Sequence, residues 1–386
     1  MKTIFNSSLL AIAVSVASGA AVATEPMSIA LADGIQFTPE LSLDERYDDN
    51  FREVENNEPS SWIMNIRPTL TLDAFGRKSQ YQLKYQGDRE IVHSYNDDSN
   101  TDHYLDGKAG FQFNSRNKLV LAANYSKVDN TTSVDSNTEG DKYNSRRIGG
   151  IYTFGAETAR TQIDLGANRT WLRYDNSGDR NADKERDATQ LHSTLYYRIA
   201  PKTRLLGEVR HTEYEYESNT SLDADNLALL AGITWEATAK TTGTIKVGRE
   251  KKDFDSSARK DKSSSMWEVG VTWAPRTYST FDLTAGRYFD EGEDGASAIR
   301  HTGYGLNWKH YWLERLYSTA GYDRSERDYI DNPREDTRDK YSIGATYEMR
   351  RWLDLGFTYS YADNDSNRAG ESYERNIYML SLKASL

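Results

Sequence analysis

The sequence has no cysteine among its 386 residues, which excludes disulfides, thiolate nucleophiles and cysteine-ligated metals. Beyond its first residues it also lacks any run near the roughly 20 consecutive apolar residues that a membrane-spanning helix needs, so a helical membrane protein is excluded. Positive charge does not predominate, since 48 Lys and Arg stand against 59 Asp and Glu. The net charge of -11 argues against a general nucleic-acid binder.

The first residues have the features of a secretory signal peptide. Lys2 supplies a positive start, residues 9–17 an apolar core, and small residues ending at Ala23 a cleavage site before Thr24. We therefore expect cleavage between Ala23 and Thr24, with residues 1–23 removed. The mature chain, residues 24–386, is expected to leave the cytoplasm.

Residues 62–74 show a pattern that dominates the rest of the chain. Apolar residues occupy alternate positions, beginning at Trp62, whereas polar residues such as Asn65, Arg67 and Asp73 lie between them. Since neighbouring side chains of a β-strand point to opposite faces, such a strand has one apolar face and one polar face. Recurrence of this pattern along almost the whole chain is typical of a transmembrane β-barrel. Closure of the sheet would then stabilise a chain that cannot form cross-links.

Counting the alternating segments predicts about 18 strands, an even number, as expected when both ends of a bacterial barrel lie on one side of the membrane. The segments are residues 35–43, 62–74, 81–93, 103–113, 119–128, 143–154, 161–174, 189–199, 205–216, 227–235, 242–254, 267–273, 281–289, 302–308, 316–328, 341–347, 353–361 and 377–386. Short connections alternate with long acidic ones, such as residues 44–60 and 290–297. This alternation places short turns in the periplasm and long loops outside the cell.

The predicted fold is a closed antiparallel transmembrane β-barrel that forms a single all-β domain over residues 24–386 in the bacterial outer membrane. The repeat of about 40 residues would also suit a propeller of four-stranded blades. Alternating turn lengths, and aromatic residues near strand ends on the apolar face, favour the barrel. The last strand resembles the signal read by the outer-membrane insertion machinery, although that signal usually ends in an aromatic residue and this chain ends in Leu386.

An interior lined by about 18 strands is aqueous, so inward residues should determine what passes. The pore-lining residues predicted from the alternation are Arg67, Lys84, Asp106, Lys108, Arg147, Asp164, Glu208, Arg210, Lys246, Glu268, Asp282 and Asp323. A strongly anion-selective pore would need an excess of Arg and Lys, which this mixed set lacks. Mixed polar side chains favour neutral or weakly acidic sugars, and some of the 26 tyrosines could pack against sugar rings. Most tyrosines are expected to form interfacial girdles instead.

Nothing in the sequence predicts an enzyme. The six histidines lie in no metalloprotease pattern, and His192 and Ser193 would point to opposite faces of one strand. One acidic segment has oxygen-bearing residues near calcium-loop spacing, at Asp363, Asp365, Asn367, Glu371 and Glu374. Because Arg368 stands where that loop needs glycine, chance spacing is the better interpretation. We expect no catalytic residue, cofactor or metal.

The run Leu41-Ser42-Leu43-Asp44-Glu45-Arg46-Tyr47-Asp48-Asp49-Asn50, followed by Trp62, Pro68, Leu70 and Leu72, resembles the opening of the putative β-barrel porin type 2 family. Members of that family are outer-membrane proteins often encoded with exopolysaccharide or capsule synthesis and export systems. The resemblance therefore implies polysaccharide export, with polymer received from a periplasmic polysaccharide-export protein, and it implies no catalytic residue.

Two other functions stay open: a passive diffusion porin for oligosaccharides, and a structural or adhesive barrel that uses its acidic loops. The partners expected on these grounds are outer-membrane lipid, a polysaccharide or oligosaccharide, the periplasmic export protein and the insertion machinery, with no nucleic acid.

Overall fold

The structure is a computed structural model that describes residues 28–130, 140–176, 181–238 and 240–385. The predicted signal peptide and its cleavage site between Ala23 and Thr24 lie outside these described residues, and cleavage there stays a prediction. Among the described residues, no helix is long and apolar enough to cross a bilayer.

In the described part of the chain, nineteen strands form one antiparallel sheet. They are β1 (Ile29–Ala32), β2 (Ile35–Asp48), β3 (Ser61–Phe75), β4 (Ser79–Val92), β5 (Asn100–Asn114), β6 (Asn117–Asp129), β7 (Lys142–Phe154), β8 (Thr161–Tyr174), β9 (Arg186–Ala200), β10 (Thr203–Tyr216), β11 (Ala224–Thr238), β12 (Thr241–Phe254), β13 (Lys262–Arg276), β14 (Ser279–Glu291), β15 (Ala298–Leu313), β16 (Leu316–Ile330), β17 (Glu335–Arg350), β18 (Leu353–Ser366) and β19 (Tyr373–Ser385). Three short 3-10 turns, Asn96–Asp98, Ala182–Lys184 and Thr220–Leu222, lie in connections at the long-loop end.

The sheet closes because β19 pairs with β2, from Ile377 opposite Asp48 to Ser385 opposite Glu40. Strands β2 to β19 thus form a closed antiparallel barrel of 18 strands, which confirms the predicted fold. The eighteen predicted segments correspond in order to these strands.

The sequence did not predict β1. This short strand pairs with the first residues of β2, beyond the point where β19 ends, and so satisfies backbone groups that β19 cannot reach. Gly34 makes the intervening turn with a φ of 73°, a conformation that favours glycine.

The strands are longer than predicted. The alternation predicts residues 267–273, for example, whereas β13 spans Lys262–Arg276. The extra residues Ser263 and Ser265 lie on the outer face but are polar, so apolar alternation does not reveal them, although their backbone continues to pair with β12. The ladder therefore extends beyond the apolar belt towards the long loops.

An apolar belt surrounds the barrel. Large apolar side chains such as Leu229 (54 % exposed), Val247 (57 %) and Ile343 (59 %) point outward from the sheet. Exposure on this scale would be a liability in water, and it is what a lipid-facing surface requires. Aromatic rings bound the belt on β13 to β15. Trp273, Phe281 and Trp308 stack near the short turns, and Trp267 packs against Tyr304 nearer the long loops.

Candidate functional site in the barrel lumen

The strand register shows which side chains point into the barrel. On β10, Glu208 lies opposite Thr194 and Leu230, whereas its neighbour Val209 belongs to the exposed apolar belt. The same reasoning on the other strands places all twelve predicted pore-lining residues on the inner face: Arg67, Lys84, Asp106, Lys108, Arg147, Asp164, Glu208, Arg210, Lys246, Glu268, Asp282 and Asp323. Their contact with a permeating solute stays a prediction.

Four of these residues form one ion-paired cluster on β10, β12 and β13. Arg210 contacts Glu208 and lies 3.0 Å from Glu268, while the Nζ of Lys246 lies 2.7 Å from Glu208 and 3.0 Å from Glu268. Two cations and two anions cancel, and all four side chains are largely buried. Because each charge is paired, this wall presents little net field to a solute.

The other eight are distributed around the wall. Arg67 joins Asp44 and Asp88 at 3.0 and 2.8 Å. Asp164 and Asp282 accept hydrogen bonds from threonines of the adjacent strands, and Asp106 accepts one from Asn124. The remaining four also lie on the inner face, at Lys84, Lys108, Arg147 and Asp323, and two of them face an opposite charge on the adjacent strand, Lys84 facing Asp106 and Asp323 facing Lys340. The predicted set therefore lines a broad polar surface and does not converge on one point.

A β-hairpin that the sequence did not reveal crosses the lumen. It consists of residues 288–300, at the extracellular ends of β14 and β15, and is called the inward hairpin below; its β15 arm stays paired with β16, and its β14 arm bends away from β13 into the lumen. The ladder between β13 and β14 ends at Trp267 opposite Arg287. Beyond that pair, the backbone N–H of Phe289 donates to Glu250 of β12 at 2.6 Å. Since Glu250 is an inner-face residue, β14 has left the wall and entered the barrel.

The same displacement continues at the end of β14. Glu291 accepts a hydrogen bond from Lys252 of β12 at 2.6 Å and another from the hydroxyl of Tyr216 on β10. Lys252 and Tyr216 also belong to the inner face. The hairpin therefore spans the interior from its own strands to β10, four strands away along the sheet.

The tip of the inward hairpin is a tight turn. Asp294 and Gly295 have φ values of 54° and 80°, and the N–H of Ala296 donates to the carbonyl of Glu293 at 3.0 Å. Two successive left-handed residues match the geometry that joins hairpin strands with their natural twist. Ala298 is fully buried, and Arg259 from the loop between β12 and β13 covers Ser297.

Residues 290–297 connect β14 and β15 at the long-loop end, as predicted, but most of them are buried or half-buried in the mouth of the barrel. The acidic composition of this segment predicts exposure to solvent. The segment is buried because the two hairpin strands pair with each other and loops cover them.

Acids on the inward hairpin face a cation of β16 and cations of the loops that follow β16 and β18. Arg327 lies 3.4 Å from Glu293, and Arg334 lies 3.5 Å from Asp294, which also contacts Arg368. A cavity of 170 Å³ separates the tip from the wall, and its lining consists of Tyr174, Lys184, Arg186, Asp290, Glu291, Gly292, Glu293 and Arg327.

The cavity walls come from strands on distant parts of the barrel. Arg186 begins β9 and Arg327 lies on β16, seven strands apart around the barrel. The tip thus bridges distant parts of the mouth, and it borders a cavity with acids on one side and cations on the other. Burial raises the pKa of Glu293, an effect that Arg327 opposes.

The first extracellular loop, residues 49–60, also folds over the mouth. Phe51 packs with Ile63 and Val92 of the inner face, and Glu53 pairs with Arg375 at 2.6 Å and Arg338 at 3.2 Å. Burial alone would raise the pKa of Glu53, but the two arginines outweigh it and hold the pKa below its usual value. The loop is therefore anchored to β17 and β19 by ion pairs.

Asn50, from the family-like motif, organises the start of this loop. It is fully buried, and its side chain donates to the carbonyls of Val54 and Glu374 and accepts from the N–H of Val54. The motif thus closes the loop on itself and onto β19, as expected for asparagine at a loop entry.

Three residues of the calcium-like segment, Asp363, Asp365 and Glu374, line one cavity of 550 Å³, whereas the other two point away from it. Glu371 pairs with Arg334 at 3.1 Å, and the side chain of Asn367 donates to the carbonyl of Pro333. Within the described ranges, no group of three or more His, Cys, Asp or Glu side chains is placed to hold a metal. On β9, His192 lies opposite Arg210 on the inner face, and Ser193 has the opposite orientation.

Comparisons with known proteins agree with this architecture. The sequence profile of the family described as "Putative beta-barrel porin 2" matches residues 36–386. The fold is similar to OpdK of Pseudomonas aeruginosa, solved with vanillate, with 12 % identity and a TM-score of 0.52 over 91 % of this chain and 99 % of that one. It is equally similar to OpdL of the same organism, with 11 % identity and a TM-score of 0.52 over 92 % and 100 % of the two chains. At such identities the likeness concerns the fold. No curated protein matches the chain.

Proposed function

Because this chain belongs to the putative beta-barrel porin 2 family, whose barrel forms a porin-like channel of the outer membrane, we propose that it is a passive channel for small hydroxylated solutes of oligosaccharide size. The observation that carries the proposal is the inward hairpin. It narrows the mouth to a passage in which paired charges of both signs, rather than one sign, meet the solute.

The balanced charge of the lumen supports solutes that carry little charge. The cluster of Glu208, Arg210, Lys246 and Glu268 is electrically neutral as a group, so it offers hydrogen-bonding atoms without a strong net field. Such groups bind hydroxyls weakly enough to release them again.

Tyrosines also lie on the inner face, among them Tyr104, Tyr196 and Tyr288. Their rings offer apolar faces to sugar C–H groups, and their hydroxyls offer hydrogen bonds. A water-facing wall that offers both apolar ring faces and hydrogen-bonding hydroxyls suits a solute with a hydroxylated rim and apolar ring faces.

Export of exopolysaccharide or capsular polysaccharide stays a hypothesis that rests on the family resemblance. A continuous polymer would have to displace the inward hairpin and pass the first loop, whereas short solutes need only the passage beside them. Deletion of the gene followed by measurement of secreted polymer tests this alternative, and undiminished secretion would reject it. The expectation of a periplasmic export partner depends on the same result.

Channel activity is tested with purified full-length protein in planar bilayers and in liposomes. We expect a measurable single-channel conductance, and liposome swelling rates that fall steeply from monosaccharides to hexasaccharides. Vanillate, a small carboxylate, serves as a charged comparison and should permeate more slowly than a neutral sugar of similar size. A folded barrel that carries no current and supports no swelling would refute the proposal and favour a structural or adhesive role.

Two adjacent positions on β14 provide a matched pair of variants. Thr284 points into the lumen and Ala285 points to lipid. Thr284→Trp should lower both conductance and sugar permeation, because it fills part of the passage. Ala285→Trp adds the same ring on the lipid face and should leave both unchanged. Equal effects of the two substitutions would show that permeation does not use the lumen.

A further inference from the structure

Several arginines on the outer face near the long loops are paired with acids, whereas Arg89, among the described residues, donates only to a carbonyl and a threonine hydroxyl. Arg169 lies 2.8 Å from Asp187, and Arg300 lies 2.6 Å from Asp328. Arg324 is held in the same way by two carboxylates, at 2.9 Å each. The carboxylates neutralise these arginines, so little net charge is left to bind an external ligand.

Arg249 and Arg287 differ from these arginines. Arg249 donates to the hydroxyl of Ser263 at 3.3 Å, and Arg287 donates to Thr302 at 3.0 Å and to Ser265 at 3.5 Å. Within the part of the chain that the structure describes, no carboxylate lies at ion-pair distance from either guanidinium. Hydroxyls do not neutralise a guanidinium, so two full positive charges remain on this surface.

The two arginines are close neighbours across the strands. Ser265 of β13 lies directly opposite Arg249 of β12, and Arg287 of β14 lies opposite Trp267, two residues further along β13. Since the contact with Ser265 joins Arg287 to the position facing Arg249, the charges and hydroxyls form one patch. We call Arg249, Arg287, Ser263, Ser265 and Thr302 the arginine patch.

The arginine patch lies at the height of lipid headgroups. Val247, Trp267 and Tyr304 lie two positions below it on their strands, and Trp267 and Tyr304 form the aromatic boundary of the apolar belt. Trp267 and Trp273 are roughly 20 Å apart along the strand at about 3.3 Å per residue, but only about 15 Å apart along the membrane normal at a strand tilt of about 40°, so the Trp267–Tyr304 pair itself marks the upper boundary of the belt. The patch therefore begins where the hydrocarbon of the outer leaflet ends.

The inward hairpin opens space beside the patch. Because β14 leaves the wall after Arg287, the edge of β13 from Ser263 to Met266 keeps β12 as its only strand neighbour among the described residues. We call the gap between this edge and β14, above Arg287, the notch; at its top Lys262 of β13 pairs with Asp331, which follows β16, at 2.8 Å. Its floor carries guanidinium and hydroxyl donors, and its lower rim is aromatic.

We propose that this notch binds the phosphate of an outer-leaflet lipid. Guanidinium groups donate two parallel hydrogen bonds to phosphate oxygens, and the serine and threonine hydroxyls add further donors. The acyl chains would lie on Val247, Trp267 and Tyr304, directly below the phosphate. A free phosphate ion would use the donors but not this apolar surface, so the occupant is a phosphorylated lipid.

The test is native mass spectrometry of the purified full-length barrel in detergent, titrated with lipid A that carries its phosphates. The same lipid after dephosphorylation, and inorganic phosphate, serve as comparison ligands. Wild-type protein should bind the phosphorylated lipid at least tenfold more tightly than the dephosphorylated one. Arg249→Gln with Arg287→Gln should abolish this preference, whereas the matched control Arg300→Gln with Arg324→Gln should keep it.

A second variant guards against loss of folding. Ser265→Asp places a carboxylate between the two guanidiniums, so it should remove lipid binding while the barrel keeps its folded, heat-modifiable migration on gels. The proposal is overturned if both patch variants bind the lipid as wild type does. It is equally overturned if the control variant loses as much affinity, or if inorganic phosphate binds as tightly as the lipid.

Discussion

Replacement of Glu291 by alanine tests whether one buried ion pair holds the inward hairpin in the lumen. Glu291 accepts hydrogen bonds from Lys252 and Tyr216, and the side chain of Lys252 is only 1 % exposed. Removal of the carboxylate leaves a buried ammonium without its partner, which costs about 3–5 kcal/mol. At ~1.4 kcal/mol per factor of ten, the ratio of docked to released hairpin should fall roughly 10²- to 10³-fold.

The assay is single-channel recording in planar bilayers. A released hairpin clears the passage, so Glu291→Ala should show a higher mean conductance with steps between two levels. A chemical readout is also available because the natural chain has no cysteine. Ala298→Cys places a thiol at a fully buried site, which a membrane-impermeant maleimide should label slowly alone and rapidly when combined with Glu291→Ala.

The matched control replaces both charges, with Glu291→Leu and Lys252→Met. An apolar pair of similar volume carries no unpaired charge, so docking should return and conductance should approach that of the wild type. Wild-type conductance and slow labelling in Glu291→Ala itself would refute the reasoning. That result would mean that the remaining contacts hold the hairpin without the ion pair.

Three further predictions concern the wall, the belt and the hairpin tip. Replacing Glu208 and Glu268 together by glutamine leaves the two cations of their cluster without partners. The reversal potential measured in a KCl gradient should therefore move towards anion selectivity. An unchanged reversal potential would exclude this cluster from the permeation path. Ile245→Arg puts a charge on lipid near the middle of the belt and should destabilise the barrel by about 2–4 kcal/mol in denaturant titrations in vesicles, with Thr244→Arg on the inner face as the milder control. Burial raises the pKa of Glu293 above its usual 4.5, so the cost of docking its charged form disappears as pH falls through that raised pKa. Acidification should therefore lower open-channel occupancy in bilayer recordings, and Glu293→Gln should make occupancy independent of pH in that window.

The barrel and its strand order could be predicted because they follow from a local property. Alternation in segments such as residues 62–74 assigns each side chain to one face without knowledge of the neighbouring strand. The twelve residues named as pore-lining reached the inner face for the same reason. Their pairing depends on neighbouring strands, however, and alternation does not show that Lys246 lies between Glu208 and Glu268.

The inward hairpin could not be predicted because alternation is the same whether a strand stays in the wall or bends away from it. Phe289 has the parity of the lipid face and reads as lipid-facing, yet it is 7 % exposed and lies with the displaced end of β14. The partners of Glu291 are 39 and 75 residues away in the sequence. The Asp294-Gly295 turn and the small residues that follow were the available signal, since they indicate a tight and closely packed hairpin.

The inward hairpin and the arginine patch should be coupled, because one displacement of β14 creates both. When β14 enters the lumen it brings Glu291 to Lys252, and it also leaves the edge of β13 open above Arg287. A released hairpin could pair with that edge again and fill the notch. Glu291→Ala leaves the patch itself intact, but it should weaken binding of phosphorylated lipid A. Because linkage is reciprocal, the lipid should also lower the conductance of the wild type. Unchanged lipid affinity in a variant whose hairpin is shown by thiol labelling to be released would prove that the notch does not depend on the bend.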